Sequence, residues 1–251
     1  MRLLLPQRGT RKRGEDVAAA LRTDIGKTRK QNEDAAWMDE AKGVFAVADG
    51  MGGHLAGEVA SRMAIEAVQQ MAKGSADIAA MREAVNAAHE AILAHAKANP
   101  ACAGMGTTLS ALWKCGRYAY IAHVGDSRIY RYRGGELEQI TQDHSLVEEL
   151  VRAHIITREE ARQHPRRNII TRALGTPGDN APDMLAADRQ KGDVWLLCSD
   201  GLTGMVPDEQ IAETLADEKN LDAAADSLLR QALEAGGRDN VTLILWRDEE
   251  G

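Results

Sequence analysis

Cysteine is scarce in this sequence, since only three of its 251 residues are cysteines: Cys102, Cys115 and Cys198. The number is odd, and no two of them stand in a C-x-x-C pair. This pattern predicts neither a disulfide framework nor a zinc site made of thiolates. We therefore expect a cytoplasmic protein, because a reducing compartment suits such a cysteine content.

Long apolar runs and an excess of positive charge are also missing. No run of about 18 or more apolar residues is present, so we expect no membrane span. The formal net charge of -7 argues against general nucleic-acid binding. The chain also lacks a linker rich in proline, glycine or serine, an internal repeat and a low-complexity tract, which favours one domain.

The N-terminus differs from the acidic remainder of the chain. Three leucines at positions 3–5 precede four basic residues, Arg8, Arg11, Lys12 and Arg13. The apolar part is too short for the core of a signal peptide. We therefore divide the chain into a basic N-terminal arm, residues 1–16, and a single domain, residues 17–251.

The stretch VFAVADGMGG, residues 44–53, reads as a buried strand that ends in an acid. Asp49 follows five apolar residues and precedes glycines, which permit a close approach of backbone and ligand. A carboxylate at the end of a rigid strand suits the binding of a metal or a phosphate. The alternative is an ordinary Asp-Gly turn.

Three further acids lie beside predicted strands: Asp200 after VWLLC, Asp126 within VGDSR, and Asp239 before the final strand. The polar stretch TDIGKTRKQNED, which ends at Asp34, also carries Arg29 and Glu33. Alternatively, this stretch forms a solvated loop.

The remaining pattern mixes helices with an antiparallel meander. Helical spacing begins at Ala56, with Val59, Met63, Ala67 and Met71 on the expected core face, and again from about Asp77 to Pro100. Strand-like runs with glycine turns follow, and Ser145 and Thr157 each begin a capping-box pattern of a short helix. Further helices are expected from about Pro207 and Leu221, before a last strand over residues 241–246.

Four carboxylates that are distant in sequence would repel one another if the fold brought them together: Asp34, Asp49, Asp200 and Asp239. Such a group takes up protons or cations, and two divalent ions would balance its charge. A donor set of oxygen atoms alone favours Mg²⁺ or Mn²⁺. Two such ions activate water and polarise a phosphoryl group, which indicates phosphoester hydrolysis.

Six short motifs occur in one characteristic order: RKQNED, VADGMGG, GTT, VGDSR, CSDG and GGRDN. Over residues 20–247 the chain resembles the metal-dependent type 2C serine/threonine protein phosphatases, the PPM family, and looks like a bacterial member. The resemblance implies an α+β fold, with a central sandwich of two antiparallel β-sheets between helices on both faces, a four-layer αββα arrangement. It also implies a helical flap over residues 143–174 that helps to select phosphoproteins.

The resemblance further implies a role for each site residue. Asp49 would bridge two Mn²⁺ or Mg²⁺ ions, and Gly50 would offer its carbonyl oxygen to one of them. The other implied metal contacts are direct ligation by Asp200 and Asp239, and direct or water-mediated contacts by Glu33 and Asp34. Asp126 would bind a third, weaker ion together with Asp200, and Arg29 would bind the substrate phosphate.

One position departs from the family pattern. Animal relatives carry a histidine directly after the Asp-Gly pair, proposed as the general acid, whereas this chain has Met51. We favour metal-bound water over His54 for this role, because His54 stands three residues further on and sequence proximity does not give reach. His123 and His144 belong to no ligand motif, so we interpret both as structural histidines.

These features together predict a phosphatase that removes phosphate from phosphoserine and phosphothreonine in proteins through a metal-activated bridging water. The expected counterpart is a bacterial serine/threonine kinase, and we expect a monomer. One alternative is a catalytically inactive relative that only binds phosphoproteins, although it would be expected to lose acids. Another is a sporulation-type phosphatase acting on anti-sigma-factor antagonists, which the intact NED motif and the flap disfavour.

Overall fold

The computed structural model describes residues 18–52, 56–74, 77–178 and 180–250. The predicted basic arm, residues 1–16, and His54 lie outside these described segments. No helix within them is long and apolar enough to cross a lipid bilayer.

Eleven strands of the described chain form two antiparallel sheets. They are β1 (Ala19–Asp24), β2 (Asp34–Asp39), β3 (Val44–Met51), β4 (Gly106–Thr107), β5 (Leu109–Cys115), β6 (Tyr118–Val124), β7 (Arg128–Arg133), β8 (Glu136–Gln139), β9 (Asp183–Asp188), β10 (Val194–Cys198) and β11 (Val241–Arg247). One sheet has the order β1-β11-β10-β7-β8. The other has the order β2-β3-β5-β6-β9, with β4 paired to the end of β3.

Seven α-helices of the described chain connect these strands. They are α1 (Ala56–Met71), α2 (Ile78–Ala98), α3 (Leu146–Arg152), α4 (Arg158–Gln163), α5 (Asp200–Thr203), α6 (Asp208–Asp217) and α7 (Leu221–Glu234). The Asp77 side chain caps α2 by accepting a hydrogen bond from the Ala79 amide. The capping box predicted for α4 is complete, whereas Ser145 caps α3 with its own side chain alone.

Three buried clusters separate four layers. The middle cluster lies between the sheets and includes Phe45, Trp195 and Trp246, with the Phe45 and Trp246 rings stacked 4.9 Å apart. A second cluster packs α1 and α2 on the sheet that contains β3, and a third packs α5, α6 and α7 on the sheet that contains β10. The predicted αββα sandwich is therefore confirmed.

The structure corrects the predicted core face of α1. Ala60, Ala64 and Val68 are fully buried, whereas the predicted core face, with Met63 and Met71, is only partly buried. The reason is close packing: small side chains let the helix approach β3, and the longer methionines then cover the margin of the contact.

Two strands, β2 and β9, have no counterpart among the predicted strands. Each consists of four apolar residues between two aspartates, DAAWMD and DMLAAD. Neither shows the alternation that marks a half-buried strand, so periodicity alone does not reveal them. Both are stabilised by pairing with a neighbour, β2 with β3 and β9 with β6.

Candidate metal centre

The acids predicted from sequence are brought to one end of the sandwich by strands of both sheets. Asp34 begins β2 and lies directly opposite Asp49 in the β2–β3 register. Asp200 begins α5 directly after β10, and Asp239 lies just before β11, the neighbour of β10. A hydrogen bond links the two sheets at this end, because the Ser199 hydroxyl donates to Asp34 Oδ2 at 2.8 Å.

Asn240 fixes the loop that carries Glu33. Its Oδ1 accepts a hydrogen bond from the Glu33 amide at 2.8 Å, and its Nδ2 donates to the carbonyls of Ile25 and Gln31. The Glu33 carbonyl in turn accepts a bond from the Gly50 amide at 3.2 Å. Asn240 therefore positions Glu33 relative to Gly50, a role that the sequence analysis did not assign although the residue ends the GGRDN motif.

Hydroxyl groups position the backbone of Asp49. The Asp49 amide donates to Thr108 Oγ1 at 2.9 Å, and Thr107 Oγ1 donates to the Asp49 carbonyl at 2.9 Å. Thr108 Oγ1 also lies 2.7 Å from the hydroxyl of Ser127, the residue after Asp126. The GTT and VGDSR motifs are thus joined in one buried network that connects Asp49 with Asp126.

Two glycines permit the close packing of this end of the fold. A Cβ atom on Gly50 would lie 2.2 Å from the Gly57 carbonyl oxygen. A Cβ atom on Gly201 would lie 1.8 Å from the Asn240 carbonyl oxygen. Both distances are far below van der Waals contact, so glycine is required where β3 and β10 end.

The enclosed carboxylates strongly influence one another's protonation. Burial raises the pKa of Asp34 to about 7, with a further contribution from the charges of Asp200 and Asp239. Burial and then the neighbouring carboxylates raise the pKa of Asp49 well above its ordinary value. The pKa of Asp126 and that of Asp200 are raised for the same two reasons. A bound cation would therefore stabilise the ionised form of all these carboxylates at once.

The donor atoms fit a divalent metal ion. Asp34, Asp126 and Asp200 each have a buried Oδ1 atom that has no hydrogen-bond partner in the described part of the chain. Buried polar atoms without partners are rare and call for a ligand or water. Among the described residues, no three or more His, Cys, Asp or Glu side chains are already arranged as the ligands of a metal ion. The fit therefore rests on these unpaired oxygens and on a donor set that suits hard ions.

Arg29 lies at the edge of the same cluster. Its Nη2 atom donates to Asp239 Oδ2 at 2.7 Å, and its side chain is 51% exposed. Burial raises the pKa of Glu33, and the positive charge of Arg29 opposes this rise. A half-exposed guanidinium beside the acids is able to meet an incoming anion.

The two histidines near the cluster have partners. His123 Nδ1 lies 2.9 Å from the Ser110 hydroxyl, and His123 Nε2 lies 3.0 Å from the Gln142 carbonyl. His144 Nδ1 accepts a bond from the Gly125 amide, and its Nε2 lies 3.1 Å from Asp183 Oδ2. These contacts agree with the prediction of structural histidines.

The predicted flap carries α3 and α4 and is closed at its base. The Leu146 amide donates to the Ile169 carbonyl at 2.9 Å, and the Thr171 amide donates to the His144 carbonyl at 2.8 Å. The flap also exposes apolar surface, since Ile155 is 67% exposed.

Comparisons with known proteins identify the family and the fold of this chain. Residues 27–242 match the family model described as Protein phosphatase 2C. The serine/threonine phosphatase stp of Listeria monocytogenes is 40% identical over 237 residues, which cover 90% of this chain and 94% of that protein. The crystal structure of the Mycobacterium tuberculosis serine/threonine phosphatase PstP/Ppp is 42% identical, with a TM-score of 0.86, and the match covers 92% of this chain and 98% of that one.

A second solved structure adds a ligand. It is described as the catalytic domain of serine threonine protein phosphatase PstP in complex with two manganese ions. Its sequence is 39% identical, its TM-score is 0.85, and the match covers 92% of this chain and 98% of that one.

Proposed function

This chain belongs to the protein phosphatase 2C family, and on that premise we propose how its acidic cluster hydrolyses phosphoserine and phosphothreonine esters in other proteins. The protein is a metal-dependent serine/threonine protein phosphatase that uses two Mn²⁺ or Mg²⁺ ions. The observation that supports the site assignment best is the set of buried, unpaired carboxylate oxygens on Asp34, Asp126 and Asp200.

Six residues would hold the two ions. Asp49 is buried within the electrostatic influence of Asp34 and Asp200 and would contact both ions. The others are Glu33, Asp34, Gly50 through its carbonyl oxygen, Asp200 and Asp239. When bound, the ions activate a water molecule for attack on phosphorus and polarise the phosphoryl oxygens.

Several residues of the chain itself would bind the substrate phosphate or position the carboxylates. The carboxylates balance the charge of the cations, so an incoming phosphate dianion does not meet net repulsion. Arg29 would bind and orient that dianion, because its guanidinium carries several N–H donors in a fixed plane beyond the one used by Asp239. Ser199 and Thr108 keep Asp34 and Asp49 in place through the hydrogen bonds described above.

Asp126 has a separate role in this proposal. Burial and then the charge of Asp200 raise the pKa of Asp126. Each of the two residues has a buried Oδ1 atom without a hydrogen-bond partner among the described residues. We propose that this pair would hold a third cation, whose bound water would supply the proton for the departing serine or threonine oxygen. Met51 supplies no proton there, since a thioether carries no ionisable group.

The cellular setting follows from the chemistry. A phosphatase of this class needs a serine/threonine kinase that supplies its substrates, so we propose a cognate bacterial kinase. We further propose that the enzyme acts in the cytoplasm as a monomer whose catalytic domain comprises residues 17–251, with residues 1–16 as an appended basic arm. Light scattering of the purified full chain would test the monomeric state.

Peptide hydrolysis tests the proposal. Matched peptides carrying phosphothreonine, phosphoserine or phosphotyrosine are incubated with the enzyme and Mn²⁺, and released phosphate is measured. We expect hydrolysis of the first two and its loss in Asp49→Asn, which keeps the shape of the side chain but removes the charge. Binding of the phosphopeptides without phosphate release would instead support the inactive relative.

A further inference from the structure

A cavity opens beside the metal centre and beneath the flap. Its volume is about 260 Å³, and its walls come from α3, α4 and the segment that runs from α5 to the start of α6. Asp126 and Asp200 lie in the same lining. At roughly 30 Å³ for a water molecule in the liquid, the cavity has room for about nine waters, or for one long side chain.

The carboxylates of the cavity wall away from the metal centre already have partners. Asp143 accepts three hydrogen bonds from Arg128 at 2.7–3.0 Å. Asp208 accepts a bond from the Tyr130 hydroxyl at 3.1 Å. Glu148 forms an ion pair with Arg158 at 3.5 Å. Asp143 and Glu148 are therefore paired with arginines within the protein, whereas the bond from Tyr130 brings no positive charge to Asp208.

Two further arginines of the same wall are not paired with a carboxylate of the described chain. Arg162 in the last turn of α4 and Arg167 beyond it both line the cavity and are exposed. Neither forms a hydrogen bond from its side chain or an ion pair with any described residue. Two cations on one concave wall attract anions more strongly than the same charges on a convex surface, since a cleft focuses the field.

We propose that Arg162 and Arg167 bind an anionic side chain of the substrate close to its phosphorylated residue. The preferred substrates would then be phosphoserine or phosphothreonine segments flanked by a carboxylate or by a second phosphate. This inference rests on the proposed phosphatase function and adds to it the chemical class of the substrate. A guanidinium suits both anions, because it offers paired donors to two oxygen atoms.

Peptides that differ only in a residue near the phosphothreonine test the inference. Phosphothreonine peptides of one sequence carry Glu, Ala, Lys or a second phosphorylated serine at each position within three residues of the phosphothreonine. Turnover of p-nitrophenyl phosphate by each enzyme preparation normalises the values. At the most favourable flanking position, we expect kcat/KM to be about three- to tenfold higher for Glu than for Lys, mainly through KM, since partly exposed ion pairs are worth this much.

Substitutions locate the source of this preference. Arg162→Gln combined with Arg167→Gln should bring the ratio of Glu to Lys peptides close to one. Arg166→Gln is the matched control, because Arg166 is also exposed, adjoins Arg167 in sequence and does not line the cavity. It should keep both the wild-type ratio and the wild-type turnover of p-nitrophenyl phosphate.

Three results would overturn the inference: equal use of Glu and Lys peptides by the wild type, an unchanged ratio in the double variant, or an equal loss in Arg166→Gln. The peptide with a second phosphate distinguishes the two anions. A larger gain from phosphate than from Glu identifies phosphate as the preferred group, and the reverse identifies the carboxylate. If the proposed phosphatase function itself were wrong, the result would be distinct from these three. Neither the phosphopeptides nor p-nitrophenyl phosphate would then be hydrolysed with Mn²⁺.

Discussion

His144 and Gly125 exchange two hydrogen bonds at the base of the flap. The His144 amide donates to the Gly125 carbonyl at 2.7 Å, and the Gly125 amide donates to His144 Nδ1 at 3.1 Å. Asp126 directly follows Gly125, and Ser145, the cap of α3, directly follows His144. One pair of residues therefore connects the start of the flap with Asp126, an acid of the proposed metal centre.

Loss of the His144 side chain should loosen this connection. His144→Ala leaves the buried Gly125 amide without its acceptor, which should cost about 1–3 kcal/mol of unfolding free energy and lower kcat. His144→Asn offers an oxygen near the position of Nδ1 and should recover most of both losses. Denaturant titrations and phosphopeptide turnover measure the two effects.

His95→Ala is the matched control, since no side-chain bond of His95 is found within the described residues. It should stay within about 0.5 kcal/mol of the wild type. Equal stability of His144→Ala and His95→Ala would contradict the role assigned to His144.

Replacement of Arg29 should affect substrate more than metal. Removal of a charge-assisted contact worth about 1.5–3 kcal/mol predicts a roughly 10- to 150-fold lower kcat/KM for Arg29→Ala, expressed mainly as a higher KM. The contact between Arg29 and Asp239 also predicts a small change in Mn²⁺ affinity. Lys30→Ala, at the exposed neighbouring position, serves as the control. If Arg29→Ala and Lys30→Ala had the same kcat/KM, Arg29 would have no role in substrate binding and would be an ordinary residue of a solvated loop.

A methyl group on Gly201 should disrupt the metal centre. In Gly201→Ala the new Cβ would lie 1.8 Å from the Asn240 carbonyl, so the start of α5 and the loop before β11 must move apart. We expect the free energy of unfolding to fall by at least about 1–3 kcal/mol. We also expect calorimetry to show weaker Mn²⁺ binding. Gly74→Ala is the control, because its nearest contact would be an ordinary 3.4 Å. Wild-type Mn²⁺ affinity in Gly201→Ala would refute the close packing described here.

Asp49, Asp126 and Asp200 are visible in the sequence because each lies beside a strand and directly beside a glycine, a local pattern that a string of residues reveals. Asp49 and Asp200 are the clearest cases, since each follows a buried apolar run. The residues that support them were not assigned roles. Thr108, Ser199 and Asn240 lie within the motifs, but their hydrogen bonds cross to segments far away in sequence.

Long-range pairings explain the other gaps in the sequence analysis. Arg29 and Asp239 are 210 residues apart, and nothing in their local surroundings indicates the ion pair. Arg189 and Asp248, both almost fully buried, also pair across 59 residues at 2.7 Å. Such contacts depend on how the two sheets pack, which hydrophobic periodicity does not specify.

Asp126 separates the catalytic and structural interpretations most clearly. A residue that merely capped a turn would cost roughly 1 kcal/mol of stability on replacement by alanine, with little change in turnover. The third-site proposal instead predicts that Asp126→Ala still binds two ions through the remaining acids while its turnover collapses. The loss should be greater on a phosphopeptide than on p-nitrophenyl phosphate, because an alkoxide needs a proton to leave and p-nitrophenolate needs much less help. Wild-type phosphopeptide turnover by Asp126→Ala would rule out the role.

Metal reconstitution shows whether the converging carboxylates form a hydrolytic site for divalent cations. The full chain is stripped with a chelator, its metal content is measured by mass spectrometry, and phosphate release from a phosphothreonine peptide is followed as Mn²⁺, Mg²⁺ or Zn²⁺ is added. We expect no activity in the stripped protein and recovery with Mn²⁺ or Mg²⁺ as two ions bind, since the donors are oxygen atoms alone. Full activity in protein without detectable metal, or recovery with Zn²⁺ only, would contradict this expectation.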